Sequence, residues 1–162
     1  MSAALRQVGL PEDVPGVLFL SSMPGRDGPV GQAVHEIEDC RIDHIICLAP
    51  DEEIRRKSPG YAVLLEQDRL SCAIHRFPIP DFGVPEDRTA FLALIRRIRD
   101  CLRRGERLLV HCSAGFGRSG TIATCALVAL GVEAAEAQEA VRMAGSRPEH
   151  DLVRWVLPSI ES

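Results

Sequence analysis

The chain has 162 residues, of which 46% are hydrophobic and 26% are charged, and this is ordinary for one soluble globular domain with a buried core. The formal net charge of −4 offers no overall basis for binding nucleic acid or a membrane surface. A protein of this charge that handles phosphate would have to concentrate its positive charge locally.

No stretch approaches the roughly 20 apolar residues of a membrane span, and residues 1–10 lack an apolar core of signal-peptide length. The six cysteines include no Cys-x-x-Cys pair, which disfavours a zinc knuckle or a thioredoxin motif. These observations predict a cytoplasmic protein in a reducing compartment. We also expect a monomer with no metal or other cofactor, and with no nucleic-acid or membrane partner.

Short apolar runs closed by turn-forming residues alternate along the chain with segments of helical periodicity. In chain order the predicted elements are strand 17–20, helix 31–40, strand 43–48, a helical turn or loop at 51–57, helix 60–70, strand 72–77, helix 85–104, strand 107–111, helix 118–130, helix 133–144 and helix 149–161. The alternation predicts one α/β domain over 1–162, with its core at about 15–160. Helices would cover both faces of a mostly parallel sheet of about four to five strands.

The most specific motif directly follows the fourth predicted strand. Segment 111–120 (HCSAGFGRSG) places the thiol of Cys112 and the guanidinium of Arg118 in one glycine-containing loop. The loop would lie at the carboxyl end of a strand, where α/β proteins bind ligands. Backbone N–H groups of such a loop, the following helix N-terminus and Arg118 all stabilise anions, so they favour a thiolate at Cys112.

These residue types predict attack of the Cys112 thiolate on a phosphate ester. The planar guanidinium of Arg118 can bind two phosphoryl oxygens at once, which a lysine cannot do. The segment has no Gly-Lys-Ser/Thr ending and no lysine, so it does not match a nucleotide-binding P-loop.

Attack by a thiolate also requires a general acid that protonates the leaving oxygen. The best candidate is Asp81, which lies in the proline-rich segment 78–85 after the third predicted strand. Glu86 and Asp87 are alternatives, although they occupy positions where acidic residues usually begin a helix.

The arrangement His111, Cys112, Arg118, Ser119 resembles the signature of the protein tyrosine phosphatase superfamily, and segment 80–85 (PDFGVP) is similar to its mobile acid loop. The short chain and the order of its motifs resemble the compact dual-specificity and kinase-associated phosphatase-like branch. Two departures stand out. Ile79 replaces the tryptophan that opens the acid loop of many tyrosine-specific members, and the loop lacks the lysines common in phosphoinositide phosphatases.

The resemblance implies a cysteine-phosphatase fold and assigns roles by position. Cys112 would be the nucleophile, Arg118 the phosphate clamp and Asp81 first the acid and then the base. Ser119 would donate a hydrogen bond to the leaving thiolate when phosphocysteine is hydrolysed, and His111 would support the loop. The residues whose backbone amides would bind phosphate are Ser113, Ala114, Gly115, Phe116, Gly117 and Arg118.

The predicted function is hydrolysis of phosphotyrosine. The wider predicted range includes phosphoserine and phosphothreonine, and the substrate would be a phosphorylated protein or a small phosphoester. One alternative is a nucleotide, inositol phosphate or RNA 5′ end as substrate, and another is phosphate binding without turnover. Residues 55–57 could border the pocket. On oxidation, Cys47, Cys72 or Cys125 could pair with Cys112.

Overall fold

The computed structural model describes residues 5–161 and contains one five-stranded sheet. Its strands are β1 (Arg6–Val8), β2 (Val17–Ser21), β3 (His44–Cys47), β4 (Ala73–Arg76) and β5 (Arg107–His111). They lie in the order β1-β2-β5-β3-β4, and β2, β5, β3 and β4 are parallel while β1 pairs antiparallel with β2. The predicted α/β fold with a mostly parallel sheet is therefore confirmed.

Helices occupy most of the remaining chain between residues 5 and 161. They are α1 (Val30–Asp39), α2 (Asp51–Lys57), α3 (Pro59–Glu66), α4 (Arg88–Arg103), α5 (Gly117–Ala129), α6 (Ala134–Met143) and α7 (Val153–Glu161). None of the helices in this described part has the length and hydropathy needed to span a bilayer. Segment 51–57, for which the sequence predicts a helical turn or a loop, is a helix.

Two predicted helix starts were wrong by several residues. The prediction placed Pro85 and Glu86 in the first turn of α4, but the helix begins only at Arg88. Asp87 is the N-cap, and its carboxylate accepts a hydrogen bond from the amide of Ala90 at 3.0 Å, which satisfies a helix N–H group that has no partner within the helix. Helix α7 likewise begins at Val153 rather than at 149.

Strand β1 was not predicted, because its three residues form no apolar run. It exists through pairing: Arg6 lies opposite Leu20 and Val8 lies opposite Leu18 in the neighbouring β2. The pairing places Arg6 near the carboxyl end of β2, which is the edge of the sheet where the glycine-containing loop begins.

The sheet separates two apolar cores, since alternate strand residues point to opposite faces. Leu18, Leu108 and Val110 pack with α4 and α5 on one face, and Phe19 and Leu109 pack with α1 on the other. Every residue of α5 from Arg118 to Ala129 is buried. The central strand β5 and the buried helix α5 thus anchor both ends of the loop that connects them.

Candidate active site

The loop between β5 and α5 brings the predicted nucleophile and its neighbours together. Cys112 follows the last residue of β5 and is only 3% exposed. The hydroxyl of Ser119, in the first turn of α5, donates a hydrogen bond to the Cys112 Sγ at 3.1 Å. Six positions after the cysteine, Arg118 is also buried and lines the same pocket.

The backbone carbonyls of this loop are held from outside the pocket. The amide of Met23 donates to the Ser113 carbonyl at 2.8 Å, and Arg6 Nη2 donates to the Gly115 carbonyl at 2.6 Å. The Ser146 hydroxyl donates to the same Gly115 oxygen. Gly115 has φ +83°, and a Cβ there would lie 2.6 Å from the carbonyl carbon and oxygen of Ser21, so no side chain fits.

The guanidinium of Arg118 is fixed by two partners. Nη2 donates to Glu53 Oε2 at 2.7 Å and Nη1 to Oε1 at 3.3 Å, while Nη1 also donates to the Ile79 carbonyl at 2.9 Å. Burial alone would lower the pKa of Arg118, but the hydrogen bonds to Glu53 and attraction to Cys112 outweigh it and raise the pKa above its usual value. The guanidinium is therefore permanently charged and held in one orientation.

Glu53 is a functional-site residue that the sequence analysis missed. It lies in α2, is buried, and forms with Arg118 an ion pair whose two side chains are less than 10% exposed. In the sequence it follows Asp51 and Glu52 in an acidic run that looks like an ordinary helix first turn. Only its position just before the apolar Ile54 hints at burial, and Ile54 is buried as well.

The predicted acid lies over the pocket. The carboxylate of Asp81 is 44% exposed, and its Oδ1 is 3.5 Å from Arg118 Nη2. The segment that contains Asp81 forms a tight turn, in which the Gly83 amide donates a hydrogen bond to the Pro80 carbonyl at 2.8 Å. Phe82 adopts a left-handed φ of 61°, which is unusual for a bulky side chain, and its carbonyl is 3.1 Å from His150 Nε2.

The geometry separates Asp81 from the other acidic candidates. The pocket around Cys112 is lined by Asp81, but neither Glu86 nor Asp87 is among its lining residues. Asp87 caps α4 instead. Of the three carboxylates that the sequence offered, Asp81 is thus the one that reaches the loop.

The pocket has a volume of about 420 Å³ and an aromatic and basic rim. Phe82 and Phe116 line it and are 79% and 54% exposed. Arg26, Lys57 and Arg147 line it as well. Of residues 55–57, it is thus Lys57 that borders the pocket, and its Nζ donates to the Ser113 hydroxyl at 2.7 Å.

His111, the last residue of β5, contacts the first residue of the loop. Its side chain is fully buried, with Nε2 2.7 Å from the Tyr61 hydroxyl and Nδ1 3.0 Å from the Cys112 carbonyl. Burial raises the pKa of Tyr61 well above its usual value, so the phenol remains protonated. One imidazole tautomer satisfies both contacts if the phenol donates to Nε2 and Nδ1–H donates to the carbonyl.

The three cysteines considered as oxidation partners are all free thiols, as is Cys112. Cys47 ends β3 and lies opposite His111 in the strand pairing. Burial, followed by the nearby Asp151 charge, raises the pKa of Cys125 to about 12, and burial also raises the pKa of Cys72. Of the three cysteines, Cys47 is the one that lies on a strand paired with β5, the strand that leads into the loop.

Curated proteins resemble parts of this chain. Tyrosine-protein phosphatase non-receptor type 61F of Drosophila melanogaster is 44% identical over 68 residues, which are 39% of this chain and 12% of that protein. Cyclin-dependent kinase inhibitor 3 of Homo sapiens is 30% identical over 104 residues, which are 62% of this chain and 47% of that protein. The chain thus spans less than half the length of these relatives.

Solved structures resemble nearly the whole chain. A kinase associated phosphatase with its catalytic cysteine replaced by serine has a TM-score of 0.77 at 22% identity, covering 96% of this chain and 92% of that one. Tk-PTP in its active form has a TM-score of 0.70 at 24% identity, covering 99% and 98%. These likenesses confirm the phosphatase fold.

A comparison with protein families covers nearly all of the chain. The family described as "Swiss Army Knife protein, DSP-PTPase phosphatase domain" matches residues 14–162, which include both segment 80–85 and the loop that contains Cys112. The predicted superfamily is therefore confirmed. This protein belongs to the DSP-PTPase family, as a phosphatase domain of the Swiss Army Knife type.

Proposed function

We propose that this domain hydrolyses phosphomonoesters through a phosphocysteine formed on Cys112, with phosphotyrosine as its main substrate and phosphoserine and phosphothreonine as a wider range. The observation that carries the proposal is the convergence of three groups on one pocket: the Cys112 thiol, the Arg118 guanidinium and the Asp81 carboxylate. Membership of the DSP-PTPase family supports it.

In the first step the Cys112 thiolate attacks phosphorus and the bond to the ester oxygen breaks. Asp81 gives its proton to that oxygen, so the leaving group departs as an alcohol or phenol. Arg118 binds two of the equatorial phosphoryl oxygens and stabilises the charge that they carry in the transition state. Its contacts with Glu53 and the Ile79 carbonyl hold it in place before substrate arrives.

The loop amides supply further donors. In a trans peptide the carbonyl of one residue and the N–H of the next point in opposite directions. The Ser113 and Gly115 carbonyls are bonded on the outer side of the loop, so the amides of Ala114 and Phe116 are directed to the other side. We infer that these amides bind the phosphoryl oxygens.

In the second step water attacks phosphorus and the bond to sulfur breaks. Asp81, now a carboxylate, takes the proton from water, and Cys112 leaves as a thiolate. The Ser119 hydroxyl, 3.1 Å from the sulfur, stabilises that thiolate by donating a hydrogen bond. Inorganic phosphate is released and the thiolate is ready for another turnover.

Ser119→Ala is expected to slow the second step selectively. Losing a hydrogen bond to a charged group costs about 10- to 100-fold in rate, so phosphocysteine should accumulate and release of the phenol should show a stoichiometric burst. Rapid-quench kinetics and mass spectrometry of the acid-quenched protein measure both. Thr124→Ala is the matched control, because its hydroxyl bonds the Gly120 carbonyl instead. A slowed variant without burst or phosphoenzyme would contradict the two-step scheme.

The rim of the pocket suits an aromatic ester. The exposed rings of Phe82 and Phe116 offer apolar faces beside Cys112, and a phenyl group can pack between such rings. The range of substrates is tested by comparing kcat/KM for matched phosphotyrosine and phosphothreonine peptides. Higher kcat/KM for the phosphothreonine peptide would contradict the proposed preference.

A second candidate substrate is an inositol phosphate or another ester with several phosphates. Lys57 is the only lysine of the chain, and its amine lies 2.7 Å from the Ser113 hydroxyl. With Arg26 and Arg147 it adds positive charge beside a loop that contains no lysine of its own. Such charge would bind a second phosphate group close to the one that is hydrolysed.

Lys57→Met separates the two candidates. If a second phosphate contacts Lys57, kcat/KM for an inositol bisphosphate should fall about tenfold more than kcat/KM for phenyl phosphate, because only the former loses a charged contact. Arg56→Met is the control, since Arg56 lies on the same helix but does not line the pocket. Equal losses on both substrates would favour the phosphotyrosine assignment.

We further propose that residues 1–162 act as one phosphatase domain, as a monomer in the cytoplasm, on phosphorylated proteins. Support comes from the continuous apolar core between the sheet and α4, α5, α6 and α7. All six cysteines are free thiols, which suits a reducing compartment. Size-exclusion chromatography with light scattering tests the monomer, and a dimer mass would contradict it.

A further inference from the structure

A second cluster of reactive side chains lies at the edge of the sheet opposite Cys112. His44 is the first residue of β3, Glu106 directly precedes β5, and Cys101 lies in the last turn of α4. Because His44 pairs with Leu108, four residues before Cys112, the cluster is about 13 Å along the strand from the loop. It takes no part in the proposed phosphate chemistry.

The cluster has the geometry of a metal site. His44 Nε2 is 3.2 Å from Glu106 Oε2, and the Cys101 Sγ lies within 4.8 Å of both ligand atoms. Two ligands bound at about 2.1 Å to a tetrahedral ion are about 3.4 Å apart. His44 Nε2 and Glu106 Oε2 are already near that separation, so the Cys101 sulfur is the ligand atom that completes the site. A set of one nitrogen, one sulfur and one oxygen is suited to zinc and similar divalent ions.

A second imidazole orients the first. His75 Nε2 is 3.0 Å from His44 Nδ1, and His75 comes from the adjacent strand β4. Histidine ligands of metals commonly bind through one nitrogen while the other is held by a hydrogen bond, which fixes the ring and its tautomer. His44 is therefore positioned with Nε2 directed into the cluster.

A cation already interacts with two of the three groups. Arg104 Nη2 donates to the Cys101 Sγ at 3.2 Å and to Glu106 Oε1 at 2.8 Å. The Arg104 side chain is 60% exposed, so it can move into solvent without losing buried contacts. The cluster thus attracts positive charge, and the group that now supplies it is replaceable.

We propose that His44, Cys101 and Glu106 bind one divalent cation of the zinc class, with water as the fourth ligand. The sequence led us to expect no metal, because it has no Cys-x-x-Cys pair and its histidines show no metal-ligand spacing. The ion, one thiolate and one carboxylate form a neutral set, and Arg104 swings out. By joining the end of α4 to the beginnings of β3 and β5, the ion stabilises the fold.

Binding releases one proton per ion. Cys101 loses its proton to solvent. His44 only changes tautomer: its proton moves from Nε2 to Nδ1, which then donates to His75 Nε2. His75 in turn carries its proton on Nδ1, and the exposed Arg97, whose Nη1 is now 3.2 Å from that nitrogen, turns away.

The test uses cobalt(II) as a spectroscopic probe in reduced, chelator-treated Cys112→Ser protein, which removes the catalytic thiol as a competing ligand. We expect one equivalent to produce a sulfur-to-cobalt charge-transfer band and tetrahedral visible bands, with release of one proton. Zinc should displace the cobalt and raise the midpoint of thermal unfolding. Absence of these bands from the folded protein would overturn the proposal.

Variants in the same background identify the ligands. Cys101→Ser should abolish the charge-transfer band, whereas Cys40→Ser, which changes a half-buried cysteine outside the cluster, should retain it. Glu106→Gln and His75→Phe should weaken cobalt binding about 10- to 100-fold. If Cys101→Ser fails to fold, these two variants test the ligand assignment. Retention of the band in Cys101→Ser, or unchanged affinity in Glu106→Gln, would sink the assignment.

Discussion

Replacing Cys112 with serine is expected to lower turnover of an aryl phosphate by at least about 10⁴-fold, because a neutral hydroxyl replaces the thiolate nucleophile. Phosphate or vanadate binding should remain, since Arg118 and the loop amides are unchanged. Steady-state kinetics and calorimetric titration with vanadate measure the two properties separately.

Cys72→Ser is the control, because Cys72 is a half-buried thiol that does not line the pocket. Unchanged turnover in Cys112→Ser would refute a cysteine nucleophile. The binding-only alternative is tested on the unmodified protein. It would be favoured if that protein bound phosphopeptides at pH 5–8 but released no phosphate from any aryl phosphate.

Asp81→Asn is expected to produce the second-largest effect, and its size should depend on the leaving group. General acid catalysis contributes about 10²- to 10⁴-fold, so phenyl phosphate and phosphotyrosine should suffer that loss. An ester of an acidic phenol, such as p-nitrophenyl phosphate, should suffer much less in its first step because its phenoxide departs without a proton. The slope of log kcat/KM against leaving-group pKa measures the difference.

Asp87→Asn is a closely matched control for that experiment. It removes a carboxylate six positions away, yet asparagine caps helices as well as aspartate does, so α4 should be unaffected. Glu86→Gln tests the remaining acidic candidate. Equal slowing of all esters by Asp81→Asn would show that Asp81 is not the acid, and a leaving-group dependence in Asp87→Asn would assign the role there.

Ile79 shows how this chain accommodates a departure from the tyrosine-specific members. Where many of them have a tryptophan, the smaller Ile79 is 2% exposed and packs into the core between the sheet and α4. Its carbonyl accepts a hydrogen bond from Arg118 Nη1. The segment that carries Asp81 is therefore tied to Arg118 through a backbone carbonyl, while the Ile79 side chain packs in the core.

The sequence by itself determined the order of the main elements and the central motif. The run Arg107–His111 is apolar within and is followed by glycines, so the strand, the loop and the buried helix could be read from local pattern. Asp81 could be ranked above Glu86 and Asp87 for a local reason as well. Proline and glycine surround it, whereas the other two stand where a helix begins.

Only the tertiary structure decided which charged side chains join the site. Glu53, Lys57 and Arg6 look like residues of a solvated surface, yet they contact Arg118, Ser113 and Gly115 respectively. His44, Cys101 and Glu106 likewise come together only through the pairing of β3 with β5 and the packing of α4. The periodicity of apolar residues indicates which face of a helix or strand is buried, because each buried position favours an apolar side chain on its own. Periodicity does not indicate which distant polar atoms come into contact, because those contacts depend on strand order, register and helix packing.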